Sequence, residues 1–371
     1  MADQDFAILV GISRYRDSAR YPTLHGPCND VEDMWKWLNS KTGGNIDSKR
    51  IIKLATPAEI AALPDEGWPE ETKWTPNREL FSDAFEKATL DSAGEFARSE
   101  GRLYLYFSGH GFSQQSDQVP RAALFSADSY GKSISNLAGT LYAEAVKRAC
   151  LYKEVVLIMD CCRDAENNIE YNNPELNKVE NDGSESVRVY AAYAAPKKGK
   201  AQERELPEAD GKVVGLMTNA WLRALKEAPC DVEGRVHGKV LMQYISFKWS
   251  SWYKVDRPPT PRIIGPDEGD VAFPSGKELV TQRFLLPASV QNGAQYRLTA
   301  ATLNATAEVD GDCIVWQDAN FLWESRLPLT ATNNGLREFT LKLPPVNHSL
   351  FTGLSPTDIS FVPGDVDAIT I

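Results

Sequence analysis

The chain is short of every feature that would mark a secreted, membrane-spanning or nucleic-acid-binding protein. Its opening Met-Ala-Asp-Gln-Asp is polar and acidic, so no secretory signal is expected there. Its longest apolar runs, Phe6 to Ile12 and Val155 to Met159, fall far below the ~20 apolar residues of a membrane helix. Positive charge is in deficit: 40 Lys and Arg stand against 51 Asp and Glu, a net charge of −11, which repels a phosphate backbone. Six cysteines, Cys28, Cys150, Cys161, Cys162, Cys230 and Cys313, form neither a CxxC pair nor a disulfide framework, so a reducing cytoplasm is the expected setting. Histidine is scarce, and His237 and His348 have no Cys, Asp or His at ligand spacing, so no metal centre is expected. A phosphate-binding GxxxxGK[ST] loop, an EF-hand spacing, a repeat and a low-complexity tract are also missing.

What is present is enough for two domains: 371 residues, 42% of them hydrophobic. Phe6 to Ile12, Ile51 to Leu54, Arg102 to Phe107, Glu154 to Met159 and Val187 to Tyr193 read as strands. Val31, Met34, Trp35 and Leu38 form a helical stripe capped by Asn29 or Asp30. Thr75-Pro76 opens a second helix, Leu141 to Cys150 reads as a third, and Thr218 caps a fourth. Strands alternating with helices predict an α/β fold, with a mostly parallel sheet sandwiched by helices. Residues 164–185 carry seven acids and one lysine and read as a solvated, mobile loop, and 196–212 as a second charged loop. From about residue 276 helical stripes vanish and short strands alternate with turn residues, which predicts a small all-β, sandwich-like domain. The expected division is 1–275 and 276–371.

Two strand ends carry the chemistry. Ser108-Gly109-His110-Gly111 closes one apolar strand and Asp160-Cys161-Cys162-Arg163 closes another. Ligands of open parallel sheets bind beyond the carboxyl ends of the strands, so both motifs fall on the binding edge. An imidazole beside a thiol is the minimum apparatus for nucleophilic acyl transfer. Gly109 and Gly111 let the chain turn around His110, and the amides of Gly111 and Cys162 are the candidate oxyanion donors. The bland alternatives are a loop histidine between turn glycines and a small buried cysteine. Side-chain alternation at a strand end sends Cys161 and Cys162 to opposite sides, so only one can face His110.

With Leu24-His25-Gly26-Pro27-Cys28-Asn29-Asp30, Ala192-Tyr193-Ala194-Ala195-Pro196, Gly215 to Leu222 and Gly269 to Phe273, these motifs resemble the caspase and metacaspase group of cysteine peptidases over about residues 5–274. The resemblance implies a caspase-like fold and a cysteine endopeptidase with a protein substrate. It puts the nucleophile at Cys162, the third residue of its motif, and leaves Cys161 to packing. Acid-specific caspases carry an arginine shortly before the equivalent of Gly26 and a glutamine two residues before the nucleophile, where this chain has Leu24-His25 and Asp160. The metacaspase pattern has Asp at both Asp30 and Asp160, lining a pocket for Arg or Lys. A buried carboxylate pair is costly unless a cation neutralises it, so such a pocket selects a basic side chain. A helix N-cap for Asp30 and a turn residue for Asp160 are the bland readings. Pro27-Cys28 departs from the metacaspase pattern.

The acidic loop sits where such enzymes carry the linker between large and small subunits. Lys178 is its internal basic residue and the candidate self-cleavage site; an uncut loop is the alternative. No cofactor is expected, although some metacaspases bind calcium. A caspase-like unit with an added domain resembles regulated proteases of microbial stress and immunity, an analogy of fold alone. Two rival readings remain: a scaffold that binds a partner or activator through its β domain, and an acyl-transfer enzyme other than a hydrolase.

Overall fold

In the computed structural model the chain is described at residues 4–64, 67–166, 168–174, 181, 183–231, 233–254, 258–277, 279–300, 303–318, 324–343, 348–352, 359–364 and 367–371. It divides into two compact units: residues 1–223 with 245–271, and residues 224–244 with 272–371. Among the described residues no helix is long and apolar enough to cross a membrane.

The first unit is built on a six-stranded sheet. Its strands are β1 (Phe6–Gly11), β2 (Ile51–Ala55), β3 (Ser99–Gly109), β7 (Tyr152–Cys161), β9 (Arg188–Tyr193) and β13 (Arg262–Ile264), in the order β13-β9-β7-β3-β1-β2. The first five run parallel and β13 lies antiparallel on β9. Parallel strands are covered on both faces, which is why β1, β3 and β7 are nearly uninterrupted apolar runs. On one face α3 (Arg78–Thr89) and α4 (Gly139–Ala149) bury Phe81, Phe85, Tyr142 and Val146 against Val10, Leu105, Phe107 and Leu157. On the other face Trp37 of α1 (Pro27–Asn39) meets Tyr104 edge-on, and Trp221 of α5 (Leu216–Glu227) meets Tyr190. A four-stranded sheet adds β4 (Gly111–Gln114), β5 (Ala123–Phe125), β6 (Asn136–Leu137) and β8 (Asp164–Glu166), and β10 (Glu203–Leu206) and β11 (Lys212–Gly215) form a hairpin.

The second unit contains the pair β12 (Arg235–His237) and β14 (Ala272–Pro274) and two larger sheets. One is β20 (Thr330–Ala331), β21 (Leu336–Leu343), β15 (Val280–Pro287) and β24 (Ala368–Thr370). The other is β19 (Glu324–Pro328), β18 (Cys313–Asp318), β17 (Leu303–Asp310), β16 (Gln295–Ala300), β22 (His348–Thr352) and β23 (Ile359–Phe361). Phe284, Phe339 and Leu341 from the first share one core with Leu298, Ile314 and Trp316 from the second, as in a sandwich. Among the described residues all pairings here are antiparallel except β15 with β24. The remaining α-helices among the described residues are the short α2 (Ala58–Ala61) and α6 (Gly238–Trp252).

Several local expectations are corrected. α1 begins at Pro27 with Gly26 as cap, so Asn29 and Asp30 lie inside the helix rather than at its start. α3 begins at Arg78, capped by the Asn77 side chain, and not at Pro76. Thr218 lies within α5, which begins at Leu216. The charged stretch 196–212 is not a loop throughout: residues 203–212 belong to the β10–β11 hairpin, while 196–202 carry no helix or strand. The acidic loop is not solvated throughout. Residues 164–166 pair with β4, Ile169 is buried, and Tyr171 stacks on Phe112 while donating to Asp117 at 2.6 Å. Lys178 lies outside the described residues.

Candidate active site

The register of the two central strands places the motifs. β3 and β7 are adjacent and parallel, with Ser108 opposite Asp160 and Gly109 opposite Cys161. One further step brings His110 and Cys162 to the same edge, where both line a cavity of about 120 Å³. Asp30, Ser108, Gly109, Asp160, Ala201, Glu203 and Gly215 line it too. Gly111 is buried one residue beyond this lining, and a Cβ there would lie 2.5 Å from the Cys161 sulfur. Cys161 is fully buried, so the two neighbouring thiols occupy different surroundings.

His110 is held from three sides. Its backbone N–H donates to the Tyr15 hydroxyl at 2.8 Å. Its ring packs near Tyr15 and Tyr21, with centroids 5.2 and 6.0 Å away. Its Nε2 lies 2.8 Å from the Pro22 carbonyl oxygen. A carbonyl only accepts, so Nε2 carries the hydrogen and Nδ1 keeps the lone pair. Gly109 makes this packing possible: its φ is +149°, and a Cβ there would meet the Tyr15 hydroxyl at 2.6 Å. Burial lowers the His110 pKa, against the raising effect of its Pro22 contact.

The Cys162 thiol points toward the Ala201 carbonyl, 3.9 Å away. Burial pushes its pKa up to about 11, with Asp164 adding to the rise and Lys200 opposing it. Burial thus favours the neutral form of both side chains. Arg163, next in the motif, is 2% exposed and braces this edge. Its guanidinium donates to the carbonyls of Arg121 and Ala195 and sits 4.8 Å over the Tyr193 ring. Its backbone pairs with Lys198 and Gly199.

The two aspartates converge on the start of α5. Asp30 accepts from the Gly215 amide and the Ser108 hydroxyl, each at 2.8 Å. Asp160 accepts from the Thr218 amide at 2.9 Å and its hydroxyl at 2.6 Å. The Tyr106 hydroxyl lies 2.6 Å behind Thr218. Burial, then Asp160, holds Asp30 well above the carboxylate range, and burial raises Asp160 to about 6. A third carboxylate, Glu203, accepts from the backbone amides of His25 and Gly26 at 3.0 and 2.8 Å. Sequence reasoning missed Glu203, Thr218 and Pro22 as site residues. The charged stretch around Glu203 carries no periodicity, the hydroxyl of Thr218 read as a helix cap, and Pro22 contributes a backbone atom with no side-chain signature.

The sequence profile of the caspase domain matches residues 4–237. A probable protease of a Desulfuromonadales bacterium is 26% identical over 176 residues, which are 43% of this chain. The match spans 18% of that relative's length.

Proposed function

This chain belongs to the caspase-domain family of cysteine peptidases, and from that membership we propose an endopeptidase that cuts proteins after arginine or lysine. The observation that carries this reading is a single cavity lined by Cys162, His110 and three carboxylates, with no Lys or Arg among its described lining residues. Asp30 and Asp160 receive the cationic side chain, and Glu203 adds a third negative charge at the wall.

His110 Nδ1 takes the thiol proton as the Cys162 sulfur attacks the scissile carbonyl carbon. The carbon–sulfur bond forms and the oxyanion rests on the amides of Gly111 and Cys162. Collapse breaks the carbon–nitrogen bond, and the leaving amine carries off the proton from the imidazolium. Water, deprotonated by His110, then attacks the thioester, releasing the carboxylic acid and restoring the thiol. Pro22 and the tyrosine rings hold the imidazole through both proton transfers. The chemistry uses no cofactor, and calcium enters no step.

The enzyme works in a reducing cytoplasm, residues 276–371 form an accessory domain that receives a protein activator, and Lys178 is the self-cleavage site. Cys162→Ala should abolish cleavage of peptides ending in Arg, and retained cleavage would reject the nucleophile. Asp160→Ala should cost basic peptides selectively; an equal loss on all peptides would reject the pocket. An electrophilic arginyl peptide that leaves Cys162 unlabelled would favour the scaffold reading, and ligated products in mass spectra would favour acyl transfer.

A further inference from the structure

We infer that the empty pocket holds one proton between Asp30 and Asp160 and exchanges it for the positive charge of the side chain that enters. The inference rests on the basic-pocket reading above and adds how the pocket tolerates its own charge when unfilled.

Both carboxylates are shut away from water, at 0% and 5% exposure. They point at the same place: a Cβ on Gly215 would lie 2.8 Å from Asp30 Oδ2 and closer still to Asp160 Oδ2. Each carboxylate accepts two hydrogen bonds. The Gly215 and Thr218 amides lie at the N-terminal end of the twelve-residue α5, and the Ser108 and Thr218 hydroxyls also donate. What the pair lacks is a counter-charge: no Lys or Arg is among the described residues that line the cavity. Asp30 faces Asp160 and Glu203 in addition to Ser108 and Gly215. Asp160 faces Glu203 from the hairpin and Thr218 from α5, and lies within electrostatic range of Tyr106 on β3, Cys161 and Cys162 on its own strand end, and Tyr253. His110, at the cavity mouth, is held toward neutrality by burial.

Two like charges in so dry a space repel strongly, so one proton stays and the pair titrates as a unit. An entering amidinium or guanidinium supplies the missing positive charge. The proton then leaves to solvent, and the net charge of the pocket is unchanged by the exchange. The linkage has a definite sign. Below the pocket's own pKa a cation must displace a proton, so its affinity falls about tenfold per pH unit; above it the affinity is flat.

Calorimetry of the full chain with benzamidine, at about pH 7 in phosphate and in Tris, counts the protons through the difference in buffer heat. We expect proton release on benzamidine binding, and affinity that rises with pH by up to about tenfold per unit between pH 5 and pH 7. In Asp30→Asn, benzamidine should still bind while proton release falls below about half. Equal heats in both buffers with affinity flat across that range would overturn the exchange and leave the basic pocket standing. Benzamidine that fails to bind the wild-type protein at any pH would overturn both. Should Asp30→Asn fold poorly, the wild-type buffer pair and pH series decide the matter alone.

Discussion

His110 depends on the Tyr15 hydroxyl for its placement. The Tyr15 oxygen is the acceptor for its backbone N–H, and the Tyr15 ring is one wall of the imidazole's cradle. Tyr15→Phe keeps the wall and leaves a buried N–H without its acceptor, at a cost of about 1–3 kcal/mol. A fall in kcat of about tenfold with KM unchanged is the expected outcome on an arginine-ending peptide, while an unchanged kcat would show the hydroxyl is dispensable. At Gly215 the constraint is room rather than hydrogen bonding. The methyl of Gly215→Ala would press on both pocket carboxylates. KM for basic peptides should rise about tenfold or more, while a small alkylating agent should label Cys162 at its usual rate.

Among elements, β3 and β7 were legible because each is a continuous apolar run that ends in a polar turn motif, so the His and Cys edge followed from the sequence. The boundaries of α1, α3 and α5 were less so. Asn29, Asp30 and Thr218 are common cap types, yet here their side chains serve partners distant in sequence: Val213, Gly215 and Asp160. The β10–β11 hairpin was hidden because residues 203–206 and 212–215 include charged side chains where apolar alternation would have signalled strands. That hairpin supplies the Glu203 carboxylate, which accepts from the amides at the start of α1, 177 positions away in sequence for Gly26. Glu203→Ala should therefore destabilise the protein by about 1 kcal/mol and speed hydrogen exchange at His25 and Gly26. Glu203→Gln, which keeps an acceptor, should recover most of the loss; exchange unaltered in both variants would argue against capping.

For the whole molecule, buried acids set the response to pH. Burial raises Asp5, Asp30 and Asp160 above the unfolded value of about 3.9. The native state holds these protons, so their contribution is full below about pH 4 and is lost as pH rises through the folded values. Asp231 runs the other way. Burial works to raise it, but its contacts with His237 and Arg235 prevail and lower it, so its contribution is lost as pH falls through its depressed value. The melting temperature should be higher at about pH 5.5 than at about pH 8, and Asp30→Asn should narrow the gap by stabilising the protein at the higher pH. Thermal scans across that range check this, and a flat profile would contradict it. Composition shows an excess of acids over bases, 51 against 40, but not these burials, since a carboxylate's depth depends on contacts made across the fold.

The segments that leave the His110 and Cys162 strand ends run on together. Gly111–Gln114 follows His110, Asp164–Glu166 follows Arg163, and the two pair side by side with Phe112 opposite Asp164. Sulfur and imidazole are thus yoked upstream of the linker. A backbone break anywhere between residues 175 and 180 would leave that yoke whole, so severing the chain there need not cost His110 and Cys162 their alignment.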